Sequence, residues 1–357
     1  MTGSIAVKPH ATVLITGGAG FIGTNVADCL LSLGRRVRIY DSLVRAGAEQ
    51  NLRWLQCRHG GRLQVVEADI RDVETLRRAA ADADTVFHFA AQVAVTTSLG
   101  RPDEDFAVNA GGTLSLLEIL RDRGGATGLV FTSTNKVYGE LNDIPLSASA
   151  TRYYPTDALA RIGIGESRAL SFRSPYGCSK GAADQYVLDY ARSYGLPAIV
   201  FRMSCIYGPH QHGTEDQGWV AHFLIRAAQD RPIAIYGDGR QVRDLLHVQD
   251  LARALLAAEQ CLPRLAGEAF NIGGGPANTL SLNELIDHIA ELRGIRPRIH
   301  YDNWRLGDQR WYVSDCRKFA GATGWRPMTG VADGVRQLHD WLAAEYSPSL
   351  ELHAAAE

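Results

Sequence analysis

A glycine-rich stretch near the start of the chain, Val13–Gly23, does most to limit the folds open to this sequence. The apolar run Thr12–Thr16 at the start of this stretch predicts a buried strand. At the end of the stretch, Phe21–Leu33 has apolar residues spaced three and four apart, and this spacing predicts a helix. A strand that turns on glycines directly into a helix is typical of the first unit of a parallel α/β sheet.

The same strand-then-helix rhythm continues through the first half of the chain. Short runs rich in apolar residues predict strands at Thr12–Thr16, Val37–Tyr40, Leu63–Val66, Thr85–Phe89, Gly128–Thr132 and Ala198–Arg202. Alternation of this kind predicts an α/β fold, a Rossmann-type doubly wound parallel sheet with helices on both faces. After Tyr207 the rhythm breaks into loops rich in glycine and aspartate, mixed with helices. We therefore expect two domains, 11–207 and a smaller α/β substrate-binding lobe at 208–345 that is interleaved with the first.

Three glycines in the first turn predict a dinucleotide site. Gly17 permits the tight turn, Gly20 lets a pyrophosphate approach the backbone, and Gly23 lets the helix pack closely on the strand. The start of the helix, Phe21 and Ile22, then presents free N–H groups and the positive end of its dipole to the phosphates.

Acidic residues at the ends of the next two strands refine this prediction. Asp41 closes the second strand, where a carboxylate accepts hydrogen bonds from the adenosine ribose and repels a 2′-phosphate. The sequence therefore favours NAD over NADP, although Arg45 nearby keeps the preference short of certain. Asp69 and Ile70 follow the third strand, where an adenine contact is expected; an ordinary strand-end aspartate is an equal alternative.

Composition limits the partners of the chain. The 357 residues carry a formal net charge of -2, which gives no long-range attraction to nucleic acid or to an anionic membrane. The six cysteines show no Cys-x-x-Cys spacing, and no apolar run is long enough for a membrane span. We therefore expect a cytoplasmic protein. We also expect no metal site, since His210 and His212 lack a third evident ligand.

Tyr176 and Lys180 are the strongest catalytic candidates. Residues four apart share one face of a helix, so the phenol and the ammonium can meet at one site. A cation nearby would lower the pKa of the phenol, which could then take a proton from an alcohol. Thr134, at the end of the strand that begins at Gly128, offers a hydroxyl for the same oxygen.

At this point the sequence resembles the extended short-chain dehydrogenases that act on nucleotide sugars with NAD. The resemblance rests on the glycine turn, His88-Phe-Ala-Ala91, Thr134, Tyr176 with Lys180, and Gly237-Asp-Gly-Arg-Gln-Val-Arg-Asp244, and it runs from about Thr12 to Trp341. It implies that Tyr176 is the base, that Lys180 supports it and binds the nicotinamide ribose, and that Thr134 steadies the reacting oxygen. Further cofactor-lining positions are Ala90, Ala91, Asn109 and Thr132.

The resemblance also implies where a nucleotide sugar binds. Arg243 and Arg310 match arginines that hold the diphosphate, a task suited to the guanidinium group. The other substrate-binding positions expected are Asn135, Lys136, Ser204, Gln217, Gly218 and Val220, of which the last three resemble the stretch that packs near the nucleotide base.

Two departures bear on the reaction. The 4,6-dehydratases of the family carry Asp-Glu directly after the catalytic threonine, where this chain has Asn135 and Lys136. Without an acid and a base there, elimination of water is disfavoured and epimerisation is favoured. Cys205 also replaces a substrate-binding asparagine of many relatives, which leaves the hydrogen bonds to the substrate open at that point.

Longer strings resemble the CDP-paratose 2-epimerases, also called CDP-tyvelose 2-epimerases, within this family. They are Ser133–Gly139, Ser174–Gln185 and Asp216–Trp219. The resemblance points to C2 as the carbon that is oxidised and reduced again on its other face. The alternatives are a 4-epimerase of a UDP-hexose or UDP-uronate and a non-catalytic NAD-responsive binding protein. A homodimer or higher homo-oligomer is expected, with helices such as Gly111–Arg123 at its seam.

Overall fold

The structure, a computed structural model, describes residues 11–305 and 307–354, with side chains described as far as Tyr346. Its strands are β1 Thr12–Thr16, β2 Arg36–Asp41, β3 Leu63–Glu67, β4 Thr85–His88, β5 Gly128–Thr134, β6 Leu146–Ala148, β7 Tyr153–Pro155, β8 Ala198–Met203, β9 Cys205–Tyr207, β10 Ile233–Tyr236, β11 Val242–His247, β12 Ala269–Ile272, β13 Thr279–Ser281, β14 Ile299–Asp302 and β15 Trp311–Tyr312.

The α-helices are α1 Phe21–Ser32, α2 Ala48–His59, α3 Val73–Ala80, α4 Val95–Gly100, α5 Pro102–Phe106, α6 Gly112–Asp122, α7 Ser174–Tyr194, α8 Trp219–Ala228, α9 Val248–Leu265, α10 Leu282–Arg293, α11 Arg317–Thr323 and α12 Val331–Ala354. Short 3-10 turns cover Gly60–Arg62, Asn135–Tyr138 and Ala160–Ile162, and a π-helical turn covers Ala107–Gly111. In the described chain no helix combines the length and the apolar character that crossing a membrane requires.

Seven strands form the main sheet, in the order β3-β2-β1-β4-β5-β8-β12. The ladders from β3 to β5 are parallel, for example Thr16 beside Tyr40 and Thr16 beside His88. The order reverses between β1 and β4, and ligands of such sheets bind outside the carboxyl ends of the strands at this switch point. The predicted doubly wound α/β fold is confirmed.

The chain divides into two compact units made of interleaved segments. Among the described residues, the first unit consists of 11–134, 174–202 and 252–270, and the second of 135–173, 203–251, 271–305 and 307–354. The core of the first unit joins the sheet to α6 and α7, with residues such as Leu14, Phe131, Leu116 and Val187 fully buried. The predicted functional division at residue 207 stays a prediction.

The second unit holds three small sheets and two apolar clusters. β11 lies between β13 and β15 and also pairs with β9, while β10 pairs with β14 and β6 with β7. One cluster surrounds Phe223 and Leu285, and the other surrounds Tyr138 and Tyr312. Tyr138 therefore packs in the core, four residues beyond Thr134.

The helix that carries the two catalytic candidates, α7, begins at Ser174. Pro175 lies in its first turn, where the missing N–H of proline costs nothing because no helical partner exists there. Tyr176 and Lys180 are consequently both on regular helix.

Candidate active site

The glycine turn after β1 has the close backbone packing that its sequence predicts. Gly17 has a φ of 69°, and a Cβ on it would lie 2.6 Å from the backbone nitrogen of Ala90. A Cβ on Gly23 would overlap the carbonyl oxygen of Gly17. Gly20 caps the start of α1 without a side chain, so the amides of Phe21 and Ile22 have no partner within the helix. This cradle at the switch point fits the pyrophosphate of a dinucleotide.

Asp41 lies at the end of β2 and is held by the turn itself. Its carboxylate accepts hydrogen bonds from the amides of Ala19, at 3.0 Å, and Leu43, at 2.9 Å. Burial raises the pKa of Asp41, and these backbone bonds and Arg45 oppose that rise. The amide of Gly20 is a third backbone donor to Asp41. A carboxylate can accept about four hydrogen bonds, so one acceptor position remains for a ribose hydroxyl. A cavity of about 310 Å³, lined by Leu43–Gly47, Glu49, Gln50 and Arg53, lies beside this segment.

Among the other predicted cofactor residues of the first unit, some side chains already make contacts within the protein. Asp69 binds Arg71 through its side chain and accepts the Tyr40 hydroxyl at its carbonyl, at 2.7 Å. Ile70 is buried against Gly112, where a Cβ would lie 2.9 Å from its side chain. Ala90 and Ala91 follow β4 with only Phe89 between them and the strand.

Asn109 holds the loop that follows β4. Its amide oxygen accepts the Gln92 amide at 2.9 Å, and its amide nitrogen donates to the Gln92 carbonyl at 3.0 Å. The side-chain oxygen of Gln92 is buried without a hydrogen-bond partner. An orphaned buried acceptor costs about 1–3 kcal/mol, which a bound donor would recover. Together with the glycine cradle, it indicates that these residues fit a dinucleotide.

The three catalytic candidates come together in the first unit. Thr134 is the last residue of β5, and its side chain is hydrogen-bonded to Tyr176 on α7. Lys180, one turn further along α7, donates to the carbonyl oxygen of Thr132 at 2.7 Å. Its ammonium also lies 4.4 Å from the centre of the Phe131 ring. The carboxyl end of β5 therefore positions all three groups.

The electrostatics of this trio differ from the prediction. Burial raises the pKa of Tyr176 to about 12; the hydrogen bond from Thr134 and the charge of Arg45 lower it, while Asp105 raises it further. Burial lowers the pKa of Lys180 to about 8, and Asp184 and Asp105 oppose that change. Lys180 was expected to lower the pKa of the phenol, but its ammonium is bound to Thr132 instead. The groups that lower the pKa of Tyr176 here are Thr134 and Arg45.

Sequence reasoning missed a buried polar network behind Lys180. Ser179 donates to the carboxylate of Asp105, and Asn109 donates to the same carboxylate at 3.2 Å. Asp105 is only 1% exposed, although the segment around it is polar. The signal was its position one helical turn before Asn109, which places the two side chains on one face.

In the second unit, Asn135 and Lys136 face the segment that contains Arg310. Asn135 donates to the side chain of Gln309 at 3.3 Å, and Lys136 donates to the carbonyl of Gly307 at 3.2 Å. Arg243 binds Asp308 at 2.6 Å and is almost fully buried. Gln309 and Asp308 were not predicted, and nothing in the local sequence distinguishes them from loop residues.

Arg310 is placed between two aromatic rings. Its guanidinium carbon lies 5.7 Å from the Tyr153 ring centre and 5.3 Å from that of Trp304. Gly237 allows this close packing, since a Cβ there would lie 2.7 Å from Trp304. The side chain of Arg310 is exposed, which leaves its donors open to an anion.

The remaining predicted substrate residues are partly engaged within the second unit. The Ser204 hydroxyl donates to the carbonyl of Asp244 at 3.0 Å. Gln217 closes a turn with Thr214, and Gly218, with a φ of 80°, precedes α8. Val220 is buried in the core, so any contact with a base would come from its neighbours. Cys205 accepts the Trp219 indole N–H at 3.4 Å.

The glycine cradle at the switch point and the Thr–Tyr–Lys trio define a dinucleotide-dependent enzyme of the short-chain dehydrogenase type. Comparison with known families agrees, because the model of the NAD dependent epimerase/dehydratase family matches residues 13–273. The chain belongs to this family. The predictions of an NAD cofactor and of an enzyme of this class are thereby confirmed.

Individual relatives show which members of the family the chain is similar to. A CDP-paratose 2-epimerase of Salmonella typhi is 42% identical over 339 residues, which cover 93% of this chain and 99% of the relative. Among solved structures, a UDP-glucose 4-epimerase of Thermus thermophilus in complex with NAD has a TM-score of 0.77 at 32% identity, covering 93% of this chain and 98% of that one. A UDP-glucose 4-epimerase of Thermotoga maritima with UDP-glucose has a TM-score of 0.79 at 30% identity, covering 94% and 99%.

Proposed function

We propose that the chain is an NAD-dependent 2-epimerase of a nucleotide-diphosphate sugar and that its substrate is CDP-paratose. The hydrogen bond between Thr134 and Tyr176, with Lys180 at the same strand end, carries the proposal because it is the set needed to oxidise a carbinol. The similarity over nearly the whole length to a CDP-paratose 2-epimerase supports the choice of substrate.

The proposed mechanism is a reversible oxidation of one carbon. When bound, NAD accepts a hydride from that carbon and can return it. Tyr176, as its phenolate, takes the proton of the sugar hydroxyl as the ketone forms, and Thr134 holds the oxygen throughout. Once the ketone presents its other face, Tyr176 returns the proton as the carbon is reduced with inverted configuration. Lys180, which donates to the carbonyl oxygen of Thr132, would bind the nicotinamide ribose.

Asn135 and Lys136 support epimerisation over dehydration. Several relatives of similar identity are dTDP-glucose 4,6-dehydratases, for example one of Escherichia coli at 31%. Elimination of water needs a general acid and a base at the sugar. The amide of Asn135 and the ammonium of Lys136 cannot replace a carboxylate pair in that role.

A UDP-sugar 4-epimerase is the second candidate, because the solved relatives include UDP-glucose 4-epimerases at about the same identity as other family members. It would use the same three catalytic residues. A non-catalytic NAD-binding protein is disfavoured by the intact trio.

The cytoplasmic location and the homo-oligomeric state stay predictions. The six free cysteines support the location. The exposed Tyr186 and Tyr194 on α7 support the oligomeric state.

The test is an assay of the NAD-loaded protein with CDP-paratose, UDP-glucose and UDP-glucuronate, followed by NMR of the products. We expect CDP-paratose to be inverted at C2 and a deuterium placed on C2 to remain in the product, because the hydride returns to the carbon it left. Inversion of a UDP-sugar at C4 would establish the second candidate instead. Loss of the deuterium to solvent would exclude hydride return as the route of inversion.

A further inference from the structure

A cluster of three charged side chains lies in the second unit and includes Lys136, which follows the end of β5 by two residues in the sequence. Arg243 donates to the carboxylate of Asp308 at 2.6 Å and to the carbonyl of Val242 at 2.8 Å. Lys136 lies 3.7 Å from the same carboxylate oxygen of Asp308. One carboxylate is thus shared by two cations.

The cluster carries a surplus of positive charge in a largely buried place. Burial lowers the pKa of Lys136, and Asp308 opposes this change while Arg243 adds to it. Burial raises the pKa of Asp308, but its two cationic neighbours hold it below its ordinary value, so it remains a carboxylate. Cys205, also close by, has its pKa raised by burial and stays a neutral thiol. A buried surplus charge is costly unless a counter-ion joins it, so the cluster is suited to an anionic ligand.

The position of Lys136 in the chain relates this anion site to the reacting carbon. Lys136 follows Thr134 by two residues, and covalent geometry keeps their Cα atoms within about 7 Å of each other. In a nucleotide sugar, C1 carries the diphosphate. C2 is bonded directly to C1, whereas C4 lies on the opposite side of the ring. A phosphate close to the threonine therefore accompanies reaction at C2 rather than at C4.

We propose that Lys136, positioned by Asp308 beside Arg243, binds the phosphate next to the sugar and thereby selects C2 as the carbon that is oxidised. The inference rests on the proposed function and assigns a specificity-determining residue within it. A glutamate, which the dehydratases carry at this place, would repel the same phosphate. Asp308 acts as a positioning residue, because its carboxylate holds the two cations together.

The first test measures nucleotide binding to the NAD-loaded protein by calorimetry. CDP carries the phosphate in question and CMP lacks it, with UDP and UMP as the second pair. Since a hydrogen bond to a charged group contributes about 1.5–3 kcal/mol, Lys136→Met should weaken CDP about 10- to 100-fold. Its affinity for CMP and for NAD should stay the same. Lys136→Arg keeps the charge and should keep the preference for CDP over CMP.

Lys318→Met is the matched control, because Lys318 is an exposed lysine on α11 of the same unit. It should bind CDP and CMP as the unmodified protein does. If Lys136→Met weakens CDP and CMP equally, or weakens neither, the inference is wrong. An unmodified protein that binds none of the four nucleotides would contradict the proposed function itself, so the two failures are distinguishable.

The second test measures turnover of the proposed substrate. Lys136→Met should lower kcat/KM for inversion at C2 at least tenfold, mainly through KM, because a phosphate contact holds the sugar before and during the reaction. The NMR product analysis shows which carbon is inverted. Inversion at C2 with an unchanged KM in Lys136→Met would overturn the assignment, even if CDP binding had weakened.

Discussion

Asp105 is a buried carboxylate close to both members of the candidate catalytic pair on α7. It accepts hydrogen bonds from Ser179 and Asn109, and its own pKa is raised by burial. Its charge raises the pKa of Tyr176 and also that of Lys180. A single side chain outside the Thr–Tyr–Lys trio can therefore set the pH range of the pair.

We predict that Asp105→Asn moves the pH optimum of the enzyme to lower values. Removing the carboxylate makes the phenolate of Tyr176 easier to form, so the acidic limb of the profile shifts down. The ammonium of Lys180 becomes easier to deprotonate, so an alkaline limb that depends on it shifts down as well. The measurement is kcat/KM as a function of pH, with Asp103→Asn, an exposed aspartate of the same helix, as the control. A profile that keeps its position while the rate falls would assign Asp105 a structural role only.

At the scale of single residues, the sequence predicts the functional residues that belong to one helix or one strand. Tyr176 and Lys180 are four apart on a helix, and Thr134 ends a strand, so their chemistry follows from periodicity. Asp105 and Ser179 are 74 positions apart, and their contact depends on how α5 packs against α7. No periodicity indicates such a contact, because it is decided by packing between elements.

The contact between β1 and α1 is the element-scale feature on which the cofactor cradle depends. We predict that Gly23→Ala destabilises the protein by about 1–3 kcal/mol, because its methyl group would overlap the backbone of Gly17 and Gly18 and push the helix away. Binding of NAD should weaken at the same time, since the amides at the start of α1 move with the helix. Urea unfolding and an NAD titration measure the two effects. Gly61→Ala is the control, because no atom lies within 4 Å of a Cβ there; equal stability of the two variants would refute the steric argument.

Most elements of the main sheet could be predicted, and the exceptions have physical reasons. Six of its strands are short apolar runs, and they appear within two residues of their predicted bounds. β12 was missed because it is isolated from the strand-then-helix series by the segments of the second unit. α2 was missed because charged and amide side chains outnumber its apolar ones, so its buried residues Leu52 and Leu55 form only a weak pattern.

On the scale of the whole molecule, the compact units do not follow the order of the chain. Most of α9 and the first residues of β12, within Ala252–Phe270, belong to the first unit although they follow a long segment of the second. Glu259 on α9 forms an ion pair with Arg35 at 2.6 Å, and the amide of Val200 binds the carbonyl of Glu268 at 3.1 Å. A sequence can indicate where its rhythm changes, but it does not indicate that a later segment returns to an earlier sheet. That return is decided by long-range pairing.

This interleaving predicts the behaviour of shortened chains. A chain ending at Tyr207 lacks α9 and β12, so it loses the ion pair between Arg35 and Glu259. It also exposes the apolar side of the sheet that α9 covers. The packing there is close, since a Cβ on Gly128 would lie 2.5 Å from Leu262. We expect it to melt without a cooperative transition and to bind NAD much more weakly than the full chain, because the cradle is supported by an incomplete sheet. A chain ending at Gly273 keeps all three segments of the first unit and should retain NAD binding. Calorimetric melting and NAD titration of the three chains decide the matter: a 207-residue chain that melts cooperatively and binds NAD as the full chain does would mean that the returning segments are dispensable.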